Sequence, residues 1–115
     1  MRQTGIALLL AAAAAVTNAA DAPKSDAKLE QGQQVYQYWC ATCHGKGPGM
    51  PGTLALQTKY AGKKPALLEE RRDLTPELTR FFVRNGVSVM PPFRKTEIRD
   101  AELDALAAYL ARRRR

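Results

Sequence analysis

The chain is poor in the residues that usually tie a small protein together. Of its 115 residues only two are cysteine, Cys40 and Cys43, and only one is histidine, His44. Two cysteines exclude a disulfide framework. Three Cys/His donors in one contiguous stretch fall short of the four that a structural zinc site takes. Aromatic residues make up 7% of the chain. No alternating apolar–polar run marks a strand or hairpin, and no repeat of 20 to 50 residues is visible. The longest apolar run, the 12 residues from Gly5 to Val16, falls short of the roughly 18 that a membrane span needs.

What that run does fit is export. Met1 and Arg2 supply a positive start, the apolar run follows, and small residues come next, the pattern of a secretory signal peptide over residues 1–22. Cleavage is expected after Ala19 or Ala22; an uncleaved N-terminal anchor is the lesser reading. Processing after Ala22 leaves residues 23–115, a 93-residue domain. A domain of that size buries about two-thirds or less of its unfolded surface and commonly needs a metal, cofactor or crosslink to supplement its core. The charge is modest once located. The full chain carries 18 basic and 11 acidic residues, a net of +7. Arg112–Arg115 supply four of the positive charges, so the processed body without them stands at +3. This tail is expected to fray in solvent, and an exported chain of this kind is not expected to bind nucleic acid.

The remaining pattern is helical. Residues 21–26 read as a mobile lead-in. Leu29, Gly32, Val35, Tyr36 and Trp39 recur at three- and four-residue steps, predicting a helix over about 28–39. Gly45–Gly52 is expected to be a Gly/Pro loop, and Pro65 to about Arg72 a short helix. Thr75-Pro76-Glu77 is a helix start, with Leu78, Phe81 and Phe82 as its apolar stripe and Gly86 as its left-handed stop. Pro91-Pro92 forces a loop over 87–96. Asp100 is expected to cap a last helix that turns Leu103, Leu106, Ala107 and Leu110 to one side. The fold class is all-α with long loops.

Cys40-Ala41-Thr42-Cys43-His44 carries the chemistry. Cys-x-x-Cys-His is the attachment signature of c-type haem. Two thiols one helical turn apart add to the two vinyl groups on one porphyrin edge, and the adjacent imidazole of His44 meets the iron. The rival reading is a thiol-disulfide oxidoreductase using Cys40 and Cys43, since Trp39-Cys40-x-x-Cys43 matches a redox motif superficially. That motif belongs at a strand-to-helix junction, whereas helix precedes it here and a Gly/Pro loop follows. For the second axial position Met90 lies 46 residues beyond His44 and stands before two stiffening prolines. Met50, six residues beyond His44, is the competitor, on a loop too short to reach the opposite face easily.

On these motifs the sequence resembles the class I cytochrome c family, small soluble proteins with His/Met haem ligation. Gly32-x-x-x-Tyr36-x-x-x-Cys40 is similar to that family's N-terminal helix, Leu106-x-x-Tyr109 to the C-terminal helix that crosses it, and Asn85–Phe93 to its Met loop. The resemblance implies one covalently bound haem c, thioethers at Cys40 and Cys43, and His44 and Met90 as axial ligands. Met ligation favours Fe(II) and raises the potential. With both axial positions filled, the implied role is outer-sphere, single-electron transfer in the periplasm, not catalysis. The expected partners are a dehydrogenase donor and an oxidase or cytochrome acceptor. Met-Pro-Pro-Phe and the chain length are also similar to the cytochrome subunit of p-cresol methylhydroxylase-type flavoenzymes, which would make the donor a flavoprotein. Lys46, Arg94 and Lys95, with Lys59, Lys63 and Lys64, are expected to steer an acidic partner. One departure concerns the carbonyl that orients the metal-bound His. Gly47-Pro48-Gly49-Met50-Pro51-Gly52 replaces the family's Gly-Pro-x-Leu, leaving Pro48 and Pro51 as candidates.

Overall fold

A computed structural model describes residues 22–114. The signal-peptide reading of residues 1–22, with both cleavage sites, lies essentially outside them. Five α-helices appear: α1 (Ala22–Val35), α2 (Ala41–His44), α3 (Pro51–Tyr60), α4 (Pro76–Asn85) and α5 (Asp100–Ala111). A π-helical turn, Tyr36–Cys40, joins α1 to α2. Such turns occur mostly as local bulges at functional sites. Single 3₁₀ turns cover Leu68–Glu70 and Arg112–Arg114. Among the described residues the sole β feature is an isolated antiparallel bridge between Val87 and Met90. The fold is the expected small, all-α one, with its first and last helices crossed.

That crossing follows from Gly32. A Cβ built there would lie 2.1 Å from the Ala105 carbonyl oxygen and 2.7 Å from Tyr109 Cβ, so only glycine lets α1 and α5 approach this closely. Around the contact Tyr36, Leu106 and Tyr109 are buried, and the two tyrosine rings meet at 6.0 Å. Ile98, fully buried, and Leu74, Val83, Leu103 and Leu110 complete the core.

Several local expectations are corrected. The lead-in is not loose: α1 begins at Ala22. The Gly/Pro segment is loop only through Met50, because Pro51 opens α3 from a helix N1 position. The Pro65–Arg72 helix reduces to the 3₁₀ turn. On α4 the Thr75 hydroxyl caps the helix by accepting from the Leu78 N–H at 3.1 Å. Its buried side chains, however, are Thr79 and Val83, and Phe81 is exposed while stacking edge-on against Phe82. Gly86 has the expected positive φ of 68° but an extended ψ of 176°. The last helix starts one residue earlier than read: Arg99 is the N-cap, and Glu102 accepts from its N–H at 2.8 Å. Arg112 is anchored, not frayed. It lies 3.8 Å over the Tyr109 ring and donates to the Tyr109 carbonyl at 2.7 Å. No helix among the described residues is long and apolar enough to cross a membrane.

Candidate functional site

A cavity with about 720 Å³ of open space, partly continuous with solvent, lies between α5, α4, α3 and the loop after α4. Cys40 and His44, from one stretch, and Met90, from another 46 residues further on, all line it. The rest of the wall is mainly apolar, including Leu68, Leu74, Phe82 and Val83, with Leu106 and Leu110 contributed by α5. Cys43 sits one helical turn after Cys40 and is exposed. Met50 does not line the cavity. Its Sδ is folded back to within 3.7 Å of where a Cβ on Gly45 would lie, beside the chain leaving His44.

The segment carrying His44 is fixed from both sides. The Tyr36 hydroxyl donates to the His44 carbonyl at 2.9 Å, and the Thr53 hydroxyl donates to the Gly45 carbonyl at 2.9 Å. Gly52 then lies directly against the imidazole: a Cβ there would be 2.8 Å from Cε1 and 2.9 Å from Nδ1 of His44. The close pass of α3 over the ring therefore requires glycine. Nδ1 is buried with no hydrogen-bond partner, so neither Pro48 nor Pro51 supplies the orienting carbonyl. The ring's orientation comes instead from packing against Gly52. Burial holds the His44 pKa below its ordinary value.

Met90 is presented by a tight turn. Val87 and Met90 exchange backbone hydrogen bonds of 3.1 and 2.9 Å, with Ser88 at φ 54° between them. Gly86 is needed here too, because a Cβ would meet the Met90 carbonyl oxygen at 2.5 Å. Val89, at the tip of the turn, is 91% exposed.

Two polar groups in the wall escape notice in the sequence. Arg71, whose side chain is only 7% exposed, holds Asp73 through paired hydrogen bonds of 2.8 Å each and donates to the Tyr60 hydroxyl at 2.9 Å. These bonds, reinforced by Lys64 at 3.0 Å from Asp73, hold the Asp73 carboxyl well below the usual carboxylate range. Thr79 is 6% exposed, and its hydroxyl is buried without a partner. An apolar cavity bounded by a thiol, an imidazole and a thioether, with an arginine and an orphaned hydroxyl in its wall, fits a porphyrin bearing carboxylates. Nothing in the local spacing around Arg71 or Thr79 could have marked them, because the cavity they share is assembled across the fold.

The basic groups divide. Arg94 pairs with Glu97 at 3.5 Å, Lys95 with Asp100 at 2.9 Å and Lys64 with Asp73 at 3.0 Å. Lys46, Lys59 and Lys63 have no ion-pair partner among the described residues. The unpaired positive charge of this set therefore lies on the loop after His44, on α3 and on the turn that follows it, not beside the Met loop.

Comparison with known proteins gives one family. The family model described as cytochrome c oxidase, cbb3-type, subunit III matches residues 27–110, from within α1 to the last turn of α5. No curated protein and no solved structure matches the chain.

Proposed function

This chain belongs to the cytochrome c family described as cytochrome c oxidase, cbb3-type, subunit III, and from that membership we propose a periplasmic, monohaem electron carrier of the His/Met type. Family membership makes it an electron-transfer haem protein with a covalently bound c-type haem. The finer assignment is that Cys40 and Cys43 carry the thioethers and that His44 and Met90 are the axial ligands. One observation supports it above the others: the cavity gathers Cys40, His44 and Met90 on a single wall that is otherwise mainly apolar.

When bound, the haem supplies the iron centre that accepts and releases one electron. The chain's own residues do the rest. Tyr36, Thr53 and Gly52 hold the His44 segment, so the imidazole needs little rearrangement between oxidation states. Leu68, Leu74, Phe82 and Leu106 keep water from the site, which favours the less charged reduced state. Arg71 and Thr79 are the groups suited to receive carboxylates inside that apolar wall. Lys46, Lys59 and Lys63 steer an acidic redox partner, acting on the association rate more than on affinity.

The reading extends to partners. A dehydrogenase donates and an oxidase or another cytochrome accepts; the family description, that of an oxidase subunit, supports the acceptor side. A flavoprotein of the p-cresol methylhydroxylase type is the more specific donor, with this chain as its electron-accepting subunit. A thiol-disulfide enzyme is the weaker reading. Burial pushes the Cys40 thiol up to about 12, opposite to the lowered value that a redox nucleophile needs.

The test is production in an exporting host with haem-maturation machinery, followed by a pyridine haemochrome spectrum and an intact mass. One haem per processed chain is expected; a colourless protein with the bare polypeptide mass overturns the proposal. Met90→Ala is expected to keep the haem, lose the near-infrared Met–Fe(III) band and lower the potential. Survival of that band in Met90→Ala would transfer the ligand role to Met50.

A further inference from the structure

The loop that presents Met90 closes on α4, and one side chain does most of the closing. The chain leaves α4 at Gly86, whose N–H donates to the Phe82 carbonyl at 2.8 Å, and returns at Phe93, whose N–H donates to the Val83 carbonyl at 2.8 Å. Between these points run the Val87–Met90 turn and two exposed prolines that have no N–H to donate. The loop therefore has little hydrogen bonding of its own beyond the turn. Arg84, on the last turn of α4, supplies what is missing. Its guanidinium donates to the Phe93 carbonyl at 3.0 Å, to the Ile98 carbonyl at 2.9 Å and to Asp100 Oδ1 at 2.9 Å. One half-buried, planar cation thus ties the return of the loop, the fully buried Ile98 and the first residue of α5 to the helix from which the loop departs. Lys95 also pairs with Asp100, at 2.9 Å.

We propose that Arg84 is a positioning residue for the sulfur ligand: it sets how often the 86–93 loop opens and withdraws Met90 from iron. The proposal rests on the reading of Met90 as ligand. A thioether is a weak donor to iron, so its occupancy depends on the loop being held in place. Charge-assisted bonds to carbonyls are stronger than neutral ones, and a lysine, a point charge without the fork, cannot bridge Phe93 and Ile98 together. Any external ligand that needs the Met90 position binds with its intrinsic affinity scaled by the fraction of open loop.

Imidazole titration of the ferric holoprotein measures that fraction. Arg84→Met, which keeps the aliphatic bulk and removes the donors, is expected to bind imidazole about 10-fold or more tightly than the parent chain. Arg84→Lys is expected to fall between the two, and serves as the readout should Arg84→Met fail to fold. Arg80→Met is the control: it removes the Asp104 ion pair from the same helix and should leave imidazole affinity unchanged. The decisive arm repeats Arg84→Met or Arg84→Lys in a Met90→Ala background, where no sulfur remains to be withdrawn; there the effect should shrink to less than about 2-fold. An Arg84 effect of equal size in both backgrounds, or none in either, overturns the proposal while leaving Met90 as ligand. A Met90→Ala protein that retains the near-infrared band and binds imidazole no more tightly than the parent overturns the ligand reading itself.

Discussion

Helix α5 has two sides finished in different ways. Toward α1, backbone meets backbone: Gly32 sits where any side chain would collide with the Ala105 carbonyl, and Tyr36 and Tyr109 fill the space beside it. Toward α4 and the Met loop, Leu106 and Leu110 face open space that none of the described residues fills. The first side is completed by the polypeptide; on the proposed reading, the second is completed by the haem. A domain this small gains from that division, because a covalently held porphyrin supplies apolar contact that the chain is too short to provide.

Substitutions on the two sides should therefore fail differently. The largest effect is expected from His44→Ala, which leaves the helical crossing untouched and should reduce accumulated holoprotein to near zero, read by haemochrome absorbance per milligram of purified chain. Gly32→Ala attacks the other side. With the Ala105 oxygen 2.1 Å from the new Cβ, a loss of about 3 kcal/mol is expected in denaturant unfolding, the upper end of ordinary overpacking. Full stability in Gly32→Ala would show that the crossing is looser than described.

A pH measurement sharpens the contrast further. Tyr109 donates to Glu69 beneath the crossing, and burial together with that carboxylate pushes its phenol up from 10.0 to about 12. The fold therefore favours the neutral phenol. This contribution is whole below pH 10 and is lost as pH rises from 10 toward 12. Tyr109→Phe should lack that step in far-UV circular dichroism, whereas an unchanged alkaline edge would place the titration elsewhere. The smallest effect is expected on the ligand side. Ser88 holds φ 54° in the Met90 turn, so Ser88→Gly relieves about 1–2 kcal/mol of left-handed strain against glycine's entropic cost of about 0.5–1 kcal/mol, a net stabilisation of the holoprotein by about 0.5–1 kcal/mol in thermal unfolding.

The same contrast governs what the sequence discloses. The two helices were legible from their periodicity, and their crossing from the family resemblance carried by Gly32-x-x-x-Tyr36 and Leu106-x-x-Tyr109. Cys40, Cys43 and His44 were legible because attachment chemistry dictates their spacing. Met90 announced itself through the prolines that follow it. Helix α3 was not legible. Pro51-Gly52 reads as a turn, and no apolar stripe runs along the helix; its burial comes from Thr53 and from Gly52 lying on the His44 ring. The stripe assigned to α4 was off by a fraction of a turn. Hydrophobicity favoured Phe81, while the cavity takes Thr79, Phe82 and Val83. Arg84 reaches 14 residues along the chain to Ile98, and Arg71 and Thr79 share a void, and neither propensity nor local pattern records such relations.

The placement of Cys40 also bears on the order of events in maturation. Cys40 lines the cavity that α5 and the Met90 loop also wall, whereas Cys43 is open to solvent. A flat, rigid ring reaches the Cys40 thiol most freely before α5 and the Met90 loop have come together over that wall. On the proposed reading, in which Cys40 and Cys43 both carry the haem, stitching precedes helix docking and the pigment is a template on which the last third of the polypeptide condenses.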